Sequence, residues 1–174
     1  MIKIERVAHI VITVRDLEKS LDFYTRVLGL KVMGEIQGVA FLSAGGRDHH
    51  EIALAGIGTQ AGKAKVSEIG LVHFAFRLRD EEDLVEAYET LLREGVEIAY
   101  TVNHGVTKSV YFYDPDGHEL EVYADNSQEE VASFENPYGG LEKLSFAPDQ
   151  PSLMDSIMKM QKAMAAEMAG QESQ

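Results

Sequence analysis

The chain contains no cysteine and no tryptophan, and only four prolines in 174 residues. Without cysteine there is neither a disulfide framework nor a thiolate ligand, so any bound metal must be held by nitrogen and oxygen. Positive charge is scarce as well: 16 lysines and arginines stand against 29 aspartates and glutamates, a formal net charge of −13. That balance repels nucleic-acid phosphates and anionic membrane surfaces. No apolar run approaches the length needed to cross a bilayer. The opening stretch "MIKIERVAHIVITV" alternates like a strand and lacks a signal peptide's charged, apolar and small-residue order, so the cytoplasm is the expected location. What remains is ordinary for a globular domain, with 45% hydrophobic and 26% charged residues.

The organising feature is an internal repeat. The segment "AHIVITVRDLEKSLDFYTRVLGLKV" from Ala8 matches "VHFAFRLRDEEDLVEAYETLLREGVEI" from Val72. His9 aligns with His73, Arg15-Asp16 with Arg79-Asp80, Tyr24 with Tyr88 and Leu28 with Leu92, all at the offset 73 − 9 = 64. Each repeat opens with a strand. In the first, Ala8, Ile10, Ile12 and Val14 form an apolar face opposite His9; in the second, Phe74, Phe76 and Leu78 lie opposite His73. Asp16 and Asp80 then suit helix N-caps, apolar residues recur at helical spacing (Leu17, Leu21, Tyr24, Leu28; then Leu84, Tyr88, Leu91), and Gly29 and Gly95 suit helix ends.

Short strands are expected over 31–36, 39–43 and 50–55, and again over 96–102, 108–113 and 118–123, with "DPDG" at 114–117 as a turn. The fold class is therefore α+β. Two β-α-β-β-β modules, about 5–57 and 69–125 and linked by 58–68, make a domain at 1–125 that curves its mixed sheet into a barrel around a cavity. Residues 126–174 read as an extension rather than an independent domain: a loop, then a helix over 151–169 capped by Ser152 with Asp155 three residues on. Its methionine stripe, Met160, Met164 and Met168, suits packing on the domain or on a twin subunit, with a substrate lid as the alternative, and a homo-oligomer is expected.

Two histidines at one position of two pseudo-symmetric modules are candidates for a shared metal. The third candidate is Glu121, which points away from Leu120 and Val122 and, once buried, needs a cationic neighbour. Two imidazoles and a carboxylate suit Fe(II), with Mn(II) next, and leave positions open for substrate. Aligning "HEIALA" (50–55) with "HELEVY" (118–123) puts Ala53 where the second module has Glu121. A fourth acidic ligand is thus missing, which suits a catalytic metal.

At this point the sequence resembles the vicinal oxygen chelate (glyoxalase/bleomycin resistance/dioxygenase) superfamily over residues 5–125. "DPDGHELE" is similar to that family's run holding its carboxylate ligand, with His118 in place of the usual asparagine. Within the superfamily the likeness is to catechol-type extradiol dioxygenases. "HHEIALA" (49–55) resembles their His-Asp-x-Ala strand and implies His50 as an acid–base histidine, although strand parity alone puts His49 on the side of Ala53. "HGVTKSVYFYDPDG" (104–117) resembles their His-Gly segment and implies catalytic roles for His104 and Tyr111. The resemblance implies an Fe(II)-dependent oxidoreductase of aromatic catabolism, taking an aromatic diol and O2, with no nucleic-acid or membrane partner. The alternatives are another metalloenzyme of the superfamily (epimerase, isomerase or lyase) and a resistance protein that only binds a small molecule.

Overall fold

A computed structural model describes residues 1–46, 48–63, 69–142, 144–146, 154–158 and 161–162. The chain divides into two compact units, Met1–Ala64 with Asp114–Gly117, and Lys65–Tyr113 with His118–Gln174.

The first unit runs β1 (Ile10–Val14), α1 (Leu17–Asp22) with a π-helical continuation (Phe23–Val27), β2 (Lys31–Ile36), β3 (Val39–Ser43) and β4 (Ile52–Gly56). Its sheet has the order β1-β4-β3-β2, parallel at β1–β4 and antiparallel elsewhere. The expected parity holds in β1, where Ile12 and Val14 are buried while Val11 and Thr13 are exposed. Asp16 caps α1, its carboxylate accepting from the Lys19 amide at 3.2 Å. The helix then widens where the sequence suggested a plain α-helix. The Thr25 hydroxyl donates to the Leu21 carbonyl at 2.7 Å, and the Leu28 amide reaches back five residues to Phe23. A threonine that takes over the carbonyl four residues back loosens the regular ladder at that turn. The shifted phase buries Phe23 and Tyr24. The Tyr24 hydroxyl donates to Asp114 at 3.0 Å within this unit, and the Arg15 amide donates to Asp116 at 2.8 Å.

The second unit repeats the plan: β5 (His73–Arg77), α2 (Glu81–Arg93), β6 (Ile98–Asn103), β7 (Thr107–Tyr113) and β8 (Glu119–Asp125). The sheet order is β5-β8-β7-β6. Asp80 caps α2 by accepting from the Asp83 amide at 3.0 Å. Leu84, Tyr88 and Leu91, the apolar face read from the spacing, are all buried, each worth about 1.5–3 kcal/mol relative to exposure. The ladders of the two sheets are in equivalent register. Val11 pairs with Ala53 as Ala75 pairs with Glu121, and Phe41 faces Ala53 as Tyr111 faces Glu121. Even the bulges recur, at Val32/Gly34 and at Ile98/Tyr100.

Two expectations change. Among the described residues the strands pair only within their own module, which gives two four-stranded sheets with edges at β1, β2, β5 and β6 rather than one continuous hydrogen-bonded barrel. The stretch read as loop after Asp125 contains a helix, α3 (Gln128–Ser133), held by a capping box in which Ser127 and Glu130 exchange side-chain-to-backbone bonds. Of the helix expected over 151–169, residues 154–158 and 161–162 are helical; Ser152, Met160, Met164 and Met168 lie outside the described residues. Among the described residues no helix is long and apolar enough to cross a membrane.

Candidate active site

The second unit assembles four of the six candidate side chains. His73 opens β5, and β8 pairs with it in parallel, so His73 stands beside Glu119 and two residues out of register with Glu121, on the same face. His73 Nε2 lies 3.3 Å from Glu121 Oε2, while its Nδ1 lies 4.0 Å from Glu119 Oε1. Tyr111, directly across the β7–β8 ladder from Glu121, presents its ring edge-on to His73, with centroids 5.2 Å apart. His104 sits at the tip of the β6–β7 hairpin, and its Nε2 lies 3.1 Å from the Tyr111 hydroxyl. His104, Tyr111 and Glu121 share the wall of a cleft of about 330 Å³ with Tyr123 and Tyr138.

Burial and charge set the protonation of this cluster. The His73 imidazole is held above its usual range chiefly by the Glu121 hydrogen bond, against the effect of its own burial. Burial pushes the Glu121 carboxyl up, but hydrogen bonds from His73 and Ser109 outweigh it and leave Glu121 below the usual range. Tyr111 is driven well up by burial and by the Glu121 charge, so its hydroxyl stays protonated. Glu119, by contrast, is raised by burial.

The other two candidates, His9 and His50, lie in the first unit. His9 precedes β1 and is exposed; its ring centroid lies 4.5 Å from that of His50 and 6.1 Å from that of His49. Because β4 begins only at Ile52, strand parity does not extend to either residue of the His49-His50 pair. His50 is half-buried, packed edge-on against Phe41 at 4.9 Å, whereas His49 is exposed. Partial burial and the neighbouring His49 and His9 hold the His50 imidazole below its usual range.

Sequence reading missed Glu119 and Tyr100. The first shares a strand face with Glu121 by simple alternation, and that parity could have found it. Tyr100 stacks on Tyr111 with centroids 4.2 Å apart. Its place follows the bulge at Ile98/Tyr100, which no periodicity announces.

Among the described residues no three His, Cys, Asp or Glu side chains gather into a metal-holding group; the second unit supplies a pair. That pair fits a divalent ion. Two ligand atoms on bonds of about 2.1 Å stand about 3.0 Å apart at right angles and about 3.4 Å apart at the tetrahedral angle. The observed 3.3 Å falls between. His73 Nδ1 is buried without a hydrogen-bond partner, so the hydrogen bond that orients the ring is the one to Glu121.

The paired modules, the equivalent ladders and the carboxylate on β8 match a known plan: residues 6–122 fit the family model for the glyoxalase/bleomycin resistance protein/dioxygenase superfamily. The chain belongs to this superfamily. It is 34% identical over 137 residues to biphenyl-2,3-diol 1,2-dioxygenase 2 of Rhodococcus globerulus, covering 76% of this chain and 72% of that one. It spans less of two further dioxygenase relatives, 64% and 39% of their lengths. It is also 30% identical to the glutathione transferase FosA of Serratia marcescens, over 76% of this chain and 91% of that one. In fold it matches a glyoxalase/bleomycin resistance protein/dioxygenase domain from Frankia, with a TM-score of 0.62 and 23% identity over 76% of this chain and all of that one. Superfamily members with these names catalyse different reactions, so membership alone leaves the reaction open.

Proposed function

We propose that this member of the superfamily is a divalent-metal-dependent extradiol dioxygenase. It opens a catechol-type ring beside its two hydroxyls, and both atoms of O2 enter the ring-opened semialdehyde. The observation that carries this reading is the contact between His104 and Tyr111 beside Glu121 in one cleft. A lyase or a thiol transferase has no evident use for that dyad, whereas a diol must lose and regain protons as it binds and reacts. The identity to a biphenyl-diol dioxygenase supports the same choice.

His73 and Glu121 would hold the metal together with His9. The case for His9 is the repeat, since His9 holds the place in the first module that His73 holds in the second. Fe(II) is the proposed ion and Mn(II) the second choice, and it would supply chelation of the diol and activation of O2. The chain's own groups handle the protons. Tyr111, held protonated by burial, hydrogen-bonds a substrate oxygen. His104 Nε2, within hydrogen-bond reach of that hydroxyl, accepts a proton and returns it. His50 serves as a further acid–base group. Tyr123 and Tyr138, in the same cleft wall, would pack against an aromatic ring.

A second reading, thiol transfer or lyase chemistry, is favoured by the nearly full-length match to FosA. One experiment separates the two: anaerobically purified protein loaded with Fe(II) or Mn(II) is mixed with catechols in air. A rising visible absorbance with O2 consumption is the expected result. Bound metal without O2 consumption on any catechol would move the assignment to the second reading.

A further inference from the structure

The described structure continues past the family-matched segment, which ends at residue 122. Beyond it the chain forms α3 and then a strap, residues 134–142, that crosses the hairpin carrying His104. Asn103 and Glu142 pair through two backbone bonds, 2.8 Å and 3.2 Å. The approach is close enough to need glycine on both sides. A Cβ on Gly140 would stand 2.4 Å from the His104 carbonyl carbon, and one on Gly105 would stand 2.6 Å from the Pro137 carbonyl oxygen. Gly105 also has φ +88°, which favours glycine. On its other side the loop is tied down by Asn126, whose amide donates to Asn103 at 2.9 Å and to the Gly105 carbonyl at 3.0 Å.

The strap leaves one polar contact on the candidate dyad: the Gly140 carbonyl oxygen lies 3.3 Å from His104 Nδ1. A carbonyl can only accept, so Nδ1 must carry the hydrogen. In a neutral imidazole Nε2 is then bare. The Tyr111 hydroxyl, 3.1 Å from Nε2, has a single hydrogen and two acceptors near it, Nε2 and Glu121. A bare Nε2 takes that hydrogen, leaving the Glu121 lone pairs for His73 and a metal. With the opposite tautomer Nε2–H would donate to the phenol, and the Tyr111 hydrogen would turn to Glu121.

We propose that Gly140 is a positioning residue: its carbonyl holds His104 as the Nδ1–H tautomer and so directs the Tyr111 hydroxyl hydrogen to His104 Nε2. The catalytic consequence rests on the ring-cleavage reading; the tautomer does not. The strap thereby makes the segment after the paired modules part of the site, and it also brings Tyr138 to the cleft wall.

The test is long-range ¹H–¹⁵N spectroscopy of the ¹⁵N-labelled full chain, free of metal and substrate, at a pH where the His104 shifts show a neutral ring. A His104→Gln spectrum assigns the signals. The expected pattern is protonated Nδ1 and bare Nε2 in the natural chain, kept in Tyr111→Phe and Leu141→Ala but lost in Gly140→Ala. Nε2–H in the natural chain overturns the proposal, as does an unchanged pattern in folded Gly140→Ala. Should Gly140→Ala fail to fold, Tyr111→Phe decides, because a switch to Nε2–H there would mean that the phenol and not Gly140 sets the tautomer. In turnover with a catechol, Gly140→Ala should lower kcat about 10- to 100-fold with KM little changed. An altered tautomer with unchanged kcat removes the catalytic role. Absence of any ring cleavage with Nδ1–H intact refutes the dioxygenase reading and leaves the tautomer standing.

Discussion

The two modules have the same backbone plan and different chemistry, residue by residue at matched ladder positions. Where the first module pairs Phe41 with Ala53, the second pairs Tyr111 with Glu121. Where the first closes its β2–β3 hairpin on Gln37-Gly38, both at positive φ as a two-residue primed turn requires, the second inserts one more residue and presents His104-Gly105-Val106. The ladder depends on alternation, which both modules keep although their turns differ by one residue. The chemistry depends on single side chains on one face, and these can change without disturbing the pairing. The first module keeps its imidazoles, His9, His49 and His50, but lacks a carboxylate at the matched place.

Converting one module toward the other gives the sharpest tests. Glu121→Ala makes the second module like Ala53 and should have the largest effect. Metal affinity should fall by more than the 10- to 100-fold typical of an outer-sphere partner, as read by equilibrium dialysis with elemental analysis, and turnover should fall with it. Retained stoichiometric metal would remove Glu121 from the ligand set. Tyr111→Phe makes the second module like Phe41. Turnover should drop about 100-fold while metal content is kept and stability moves by only about 1 kcal/mol; an unchanged kcat would demote Tyr111 to a packing residue.

The reverse conversion, Ala53→Glu, puts a carboxylate at a position that is 1% exposed in the first module. It should cost about 1–3 kcal/mol in urea denaturation, and a neutral result would mean that the first module accommodates an acid as readily as the second. The smallest effect concerns a clamp described in the second unit, where Lys108 bridges Glu81 of α2 and Glu130 of α3 at 2.6 and 2.7 Å. The Lys108 hydrogen bond, followed by those from Ser127, holds Glu130 down at about 2, below its usual 4.5. A depressed carboxylate stabilises fully above its unfolded value and loses that contribution as pH falls through its folded one. The clamp should therefore weaken between about pH 4.5 and 2. Glu130→Gln should flatten that part of the stability curve by no more than about 1 kcal/mol, because the Glu130 carboxylate stays open to solvent even though Lys108 is mostly buried. A curve identical to that of the natural chain would show that the clamp contributes nothing.

Much of the architecture is legible in the sequence. The offset of 64 placed both modules, the aspartates capping α1 and α2 sit where local sequence put them, and alternation placed Glu121 opposite Leu120 and Val122. These features depend on interactions within a few residues or on strict two-residue parity, and both are written along the chain. The π-helical turn at Phe23–Val27 depends on one threonine competing for a carbonyl, too subtle a signal for periodicity. Helix α3 was announced by Ser127 and Glu130, a capping box that an apparently loop-like composition obscured.

The site divides along the same line. Sequence by itself determined which side chains recur at matched positions and the face on which His73, Glu119 and Glu121 stand, because strand geometry converts parity into direction. Only the tertiary structure decided that His104 Nε2 meets the Tyr111 hydroxyl, that Tyr100 stacks beneath it, and that the Gly140 carbonyl reaches Nδ1 from 36 residues away. Those contacts join a hairpin tip to a distant strap through a backbone carbonyl, a group that every residue carries and no sequence pattern distinguishes.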